Sequence, residues 1–142
     1  MKILSAIFAF ALAGPLAAQE ANDPFYPVGD AVGQASFLVH CASCHGDDAK
    51  GDGPMAGELQ VPPADLTRLA ANNVGQFPFG DVIHIIDGRI PTKGHGGPMP
   101  IFGALFSQDF NPDLAPFIGE EIVRGRILAL AYYLESIQEL DG

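Results

Sequence analysis

Both cysteines of the chain fall within one pentapeptide, Cys41-Ala42-Ser43-Cys44-His45, and this arrangement limits the possible folds more than any other feature. On a helical turn, residues three and four apart share a face. Cys41, Cys44 and His45 therefore present two sulfurs and an imidazole to the same side. With both thiols committed to one turn, no multi-disulfide framework can staple distant segments, and a metal site of four thiolates is excluded. The rest of the chain must fold around whatever this turn holds.

Three chemistries use a turn of this kind. A thioredoxin-type disulfide requires a βαβ setting, and no stretch of the chain alternates as a strand does. Zinc requires further ligands, and neither a second Cys pair nor an H-x-x-x-H pair is present to supply them. The third is C-x-x-C-H, the attachment sequence of a c-type haem. In that reading Cys41 and Cys44 form thioethers with two vinyl groups of one porphyrin edge, and His45 faces the iron from the same side. The tether gives the imidazole a very high effective concentration at the metal.

Elsewhere the pattern is helical or loop-like. Val32, Ala35 and Val39 recur at steps of three and four, with Ala31 and Leu38 beside them, which predicts a helix over residues 30–40. A Pro-containing segment, residues 21–29, precedes it. Residues 46–63 are rich in Gly and Pro and read as a loop. A short helix is expected over 64–71, with Pro63 at its start and Asp65 near its positive end. Another is expected over 80–86, ended by Gly88. A second Gly/Pro loop covers 88–103. Val123, Ile127, Leu130, Leu134 and Ile137 form one continuous stripe, so residues 120–140 read as the longest helix. The class is all-α.

The first eighteen residues read differently from the rest. Lys2 precedes an almost wholly apolar run from Ile3 to Ala13, broken by Gly14-Pro15, and small residues follow to Ala18. That is the form of a secretory signal peptide. The rival, a retained anchor, is too short for the ~20 residues that cross a bilayer and contains Pro15. The expected organisation is a signal peptide at 1–18 and one domain at 19–142, a mature chain without a membrane span.

The chain resembles class I cytochrome c, and the resemblance extends beyond the pentapeptide. Gly33, Phe37 and Cys41 are spaced by four, as in the family's N-terminal helix, and Leu130 and Tyr133, followed by Leu134, fit the pattern of its C-terminal partner. The resemblance covers about residues 30–138, most loosely in the middle. It implies a cytochrome c fold, with N- and C-terminal helices packed together around one covalently attached haem c and long Gly/Pro-rich loops between them. The helices would cross at Gly33. It also implies haem attachment outside the cytoplasm, in agreement with the leader, and hence a periplasmic location.

The second axial ligand decides what such an iron does. Candidates are Met55, Met99, His40, His84 and His95. Met99 is preferred: Gly96-Gly97-Pro98-Met99-Pro100 lies before the last helix, where the family commonly keeps its ligating Met, and the flanking prolines reduce the entropy of ordering the loop. The expected cofactor-binding residues are thus Cys41, Cys44, His45 and Met99, with His45 and Met99 on the metal. Met55 is expected to pack against the nearer loop, His40 to be solvated, and His84 to be an ordinary core or surface residue. A soft, neutral thioether favours ferrous iron and raises the reduction potential. With both axial positions filled, the iron can do little except exchange one electron, which makes a carrier and no catalyst.

The charge balance, 7 Lys+Arg against 17 Asp+Glu, argues against nucleic acid as a partner. Removal of the leader takes Lys2 with it and leaves a net charge of −11 (6 basic, 17 acidic). Asp47, Asp48, Asp52 and Glu58 are expected to form an acidic rim that steers redox partners carrying a basic docking face. Arg68, Arg89 and Lys93 are candidates to pair with haem propionates, with surface ion pairs as the alternative for each. The Phe residues of 101–119 could form either a docking face or core. The expected function is a periplasmic one-electron shuttle between a donor and an acceptor protein. The alternatives are an electron-accepting subunit of a periplasmic dehydrogenase or sulfur-oxidising complex, and a haem sensor or peroxidase-like enzyme whose iron lacks Met99.

Overall fold

A computed structural model describes residues 26–90, 99–109 and 116–139. These contain helices α1 (Tyr26–His40), α2 (Ala42–His45), α3 (Phe79–Asp87), α4 (Phe102–Ser107) and α5 (Pro116–Ser136). Short 3₁₀ turns lie at Ala56–Glu58, Leu66–Arg68 and Ala71–Asn73, and no strand occurs among the described residues. The leader lies outside them, as do Lys93, His95 and Phe110.

The helices at the two ends of the domain form its main contact. A Cβ at Gly33 of α1 would collide with the Ala129 carbonyl oxygen of α5 and lie 2.7 Å from the Tyr133 Cβ. Only a bare backbone permits that approach. One turn further on, Phe37 is completely buried, with its ring 5.4 Å from that of Tyr133. The Val32/Ala35/Val39 stripe that gives α1 its period lies on the exposed side, with Val39 75% exposed. The glycine notch and the aromatic beside it determine which face of α1 meets α5, in preference to the aliphatic stripe. On α5, Val123, Ile127, Leu130 and Leu134 are all buried.

Several boundaries differ from the sequence expectation. Among the described residues α1 (Tyr26–His40) extends four residues before the expected start. α5 (Pro116–Ser136) likewise extends before residue 120 and ends at Ser136. Beyond that point Gln138 folds back, and its Nε2 donates to the carbonyls of Leu134 (2.6 Å) and Leu66 (2.8 Å). Its Oε1 accepts from the Ala70 amide at 2.8 Å. The expected helix over 64–71 is replaced by the Leu66–Arg68 turn. Asp65 accepts from the Thr67 amide (2.9 Å), and the Leu66 amide is taken by the Ala49 carbonyl (2.8 Å). α4 was expected as loop; Phe102 and Phe106, four apart, bury one face of it. Those two phenylalanines belong to the core, whereas Phe117 is 83% exposed.

Gln138 ties the 66–70 segment to the end of α5 through three backbone groups. In Gln138→Leu the bulk remains and the partners do not, so three backbone groups lose their bonds. The expected loss is about 2 kcal/mol, read as a lower urea midpoint at unchanged m.

Candidate functional site

α1 passes almost directly into α2. The Cys41 amide donates to the Phe37 carbonyl at 2.8 Å, and the amides of Cys44 and His45 return to the Cys41 carbonyl at 3.1 and 2.9 Å. Cys41, Cys44 and His45 therefore occupy a single turn, as their spacing requires. The following loop folds flat against that turn, with the Gly51 amide on the His45 carbonyl (2.7 Å) and the Gly53 amide on the Cys44 carbonyl (3.1 Å).

This turn forms one wall of a cavity of about 330 Å³, in the size range of small-molecule and cofactor sites. The remaining walls are largely apolar: Phe37 from α1, Leu59, Val61, Leu66 and Leu69 from the loop, Val82 and Ile86 from α3, Phe102 from α4, and Leu130 and Leu134 from α5. Met99 lines the cavity as well and packs, partly buried, against the core. The structure thus brings Cys41, Cys44, His45 and Met99 to one cavity. No Lys, Arg, Asp or Glu is among the lining residues.

The imidazole is held in a defined tautomer. His45 Nδ1 lies 2.9 Å from the Ala64 carbonyl oxygen. A carbonyl only accepts, so the proton sits on Nδ1 and the Nε2 lone pair is left for a metal. Ala64 follows Pro62-Pro63, which stiffen the segment carrying that acceptor. Burial, reinforced by the neighbouring Cys44, pushes the Cys41 thiol up to about 12. The site therefore disfavours a thiolate and suits a neutral sulfur, such as a thioether. Among the described residues no group of three or more His, Cys, Asp and Glu side chains is placed to hold a metal ion by itself.

The other candidates are placed elsewhere. Met55 is half exposed and outside the lining, and His84 is exposed on α3. His40, expected to be solvated, is exposed but also lines the cavity, with its ring edge-on to Phe106 at 5.2 Å and to Phe102 at 6.2 Å. Sequence reasoning missed this contact; the Phe102/Phe106 spacing, read as a helix face, would have pointed to it. Arg89 is paired with Asp87 and Glu120, and Arg68 reaches the Glu139 carbonyl; neither lines the cavity. Asp47, Asp48, Asp52 and Glu58 are exposed, as expected of a rim.

The family profile of cytochrome c matches residues 31–118, which begin in α1 and end in α5. The chain belongs to the cytochrome c family. No curated protein and no solved structure matches it. Its cofactor is one covalently attached haem c with its iron, and the protein is a haem-binding electron carrier. The residues present fit that group, with apolar walls for the macrocycle, two thiols on one turn and an imidazole with a free lone pair. Among the described residues no helix is long and apolar enough to cross a membrane.

Proposed function

We propose that Cys41 and Cys44 hold the haem, that His45 and Met99 take its two axial positions, and that the protein shuttles single electrons between redox proteins in the periplasm. The observation that carries this reading is the meeting of His45 and Met99, 54 residues apart in the chain, on the cavity that both cysteines line. The haem supplies a one-electron ferric/ferrous couple. Ala64 keeps the His45 ring oriented, so that ligand does not reorient between oxidation states. The Met99 sulfur, soft and neutral, favours the reduced state. The apolar walls exclude water and limit the rearrangement that accompanies each transfer.

Export follows from residues 1–18 acting as a cleaved signal peptide, which leaves residues 19–142 as the working domain. Electrons leave where the cavity meets solvent. Val61, Pro62, Ile85 and Pro100, together with the polar His40, both line it and are exposed, and so form a mostly apolar mouth. The acidic residues of the loop after His45 favour a partner whose apolar contact patch is ringed by Lys and Arg.

The test is production of the full chain in a host that attaches haem during export. The expected product begins at Gln19, keeps its colour through a denaturing gel, and contains low-spin iron that does not bind CO. High-spin iron that binds CO or peroxide readily would replace the carrier with the sensor or peroxidase-like alternative.

A further inference from the structure

Met99 lies two residues before Ile101, which precedes α4, and Gly88 ends α3. Gly88 and Ile101 touch. Gly88 caps α3 in the left-handed conformation (φ 63°), and a Cβ placed on it would lie 3.4 Å from the Ile101 Cα. A Cβ placed on Gly103 would lie 2.5 Å from both Arg89 Nε and Asp87 Oδ1, so this pair rests directly on the first turn of α4.

Arg89 is bonded through all three of its guanidinium nitrogens. Nε and Nη2 donate to the two Asp87 carboxylate oxygens, each at 2.7 Å. Nη1 and Nη2 donate to Glu120 of α5 at 2.7 and 3.1 Å. Arg124 Nε, one turn along α5, donates to the same Glu120 carboxylate at 2.7 Å. Paired forks of this kind fix orientation as well as distance, which a lysine cannot do. Hydrogen bonds from Arg89 and then Arg124 hold the Glu120 carboxyl down at about 2, so it remains charged through the neutral range.

We propose that Asp87, Arg89 and Glu120 form a clamp that holds the end of α3 against α5 and backs the first turn of α4, four residues beyond Met99, making Arg89 a positioning residue that resists displacement of Met99 from the iron. The inference rests on the reading of Met99 as an axial ligand. These side chains are about a third exposed or less, and ion pairs so placed contribute little to global stability. Their effect is local. Loss of Met99 from the metal moves the chain just before α4, and its cost rises when the first turn of α4 is backed by a pair that is itself bonded to α5.

The experiment uses the haem-loaded full chain and imidazole as the competing ligand, followed through the thioether-to-iron charge-transfer band of the ferric protein. In Arg89→Ala, imidazole displaces the thioether at a concentration about tenfold lower than in the wild type, a local coupling of ordinary size. Glu120→Gln, which keeps the fold of α5, shifts the titration in the same direction. Arg89→Lys restores the charge without the fork and recovers only part of the resistance. Lys50→Ala, which removes a remote ion pair to Glu139, leaves the titration unchanged. Helix melting followed by circular dichroism separates the local effect from general loss of stability.

An unchanged imidazole titration in both Arg89→Ala and Glu120→Gln overturns the clamp while leaving Met99 as ligand. A shift equal to that of Lys50→Ala, or one that merely tracks the melting temperature, overturns it as well. Absence of the charge-transfer band in the wild type removes the Met99 reading itself, and the clamp with it.

Discussion

Met99→Leu lowers the midpoint potential by more than about 100 mV, since axial ligands move haem potentials over several tenths of a volt. Leucine approximates the volume of methionine, so the packing of residue 99 against the core is largely kept and only the sulfur is lost. The ferric charge-transfer band disappears and the reduced protein binds CO. Met99→Ala shows the same spectral change with an added loss of stability from the gap left in the core. Potentiometry and optical titration of the two variants separate the ligand's electronic effect from its packing. An unchanged potential in Met99→Leu would assign the axial position to another residue, with His40 the first to be tested because it lines the same cavity.

The second large effect is on the fold. Gly33→Val places a branched side chain where even one carbon meets the Ala129 carbonyl and the Tyr133 Cβ. Both are held rigidly, one as helix backbone and the other at the root of a buried ring, so α1 and α5 must separate. The expected destabilisation is about 3 kcal/mol, at the upper end for overpacking, with a fall in melting temperature on the order of 10 °C. Gly125→Ala on the same α5 is the control, because a Cβ there meets nothing within 4 Å. It is expected to be neutral or to stabilise by up to about 1 kcal/mol through helix propensity. Thermal melts of the two variants distinguish a contact that needs a glycine from a helix that merely contains one.

The turn that holds the cofactor was legible because its information is local. Three reactive side chains within five residues fix their own geometry, and α2 adds nothing that the spacing had not implied. Gly33, Phe37, Leu130 and Tyr133 were legible through the family pattern; the helix crossing sets Gly33 and Phe37 against Tyr133, and Leu130 is buried in the same core. The side of α1 that faces inward could not be read from hydrophobicity, because both faces carry apolar residues and the choice is made by α5. The same holds for the ends of α5 and the 3₁₀ turn at 66–68, where Gln138 and Asp65 act on backbone groups distant in sequence or specific to one turn. α4 was hidden by its length, since six residues give too few periods to separate a helix from a Phe-rich loop. The Arg89 clamp was invisible for another reason: three stretches of chain meet there, and only the folded backbone shows that they do.

The cavity stands where a domain of this size would ordinarily keep its innermost hydrocarbon. Fully burying one large apolar side chain is worth ~1.5–3 kcal/mol, a sizeable share of a domain's whole margin of stability, so what fills this space matters to the fold. Maturation therefore also completes the interior: the loaded protein is expected to melt well above a chain that has missed its pigment.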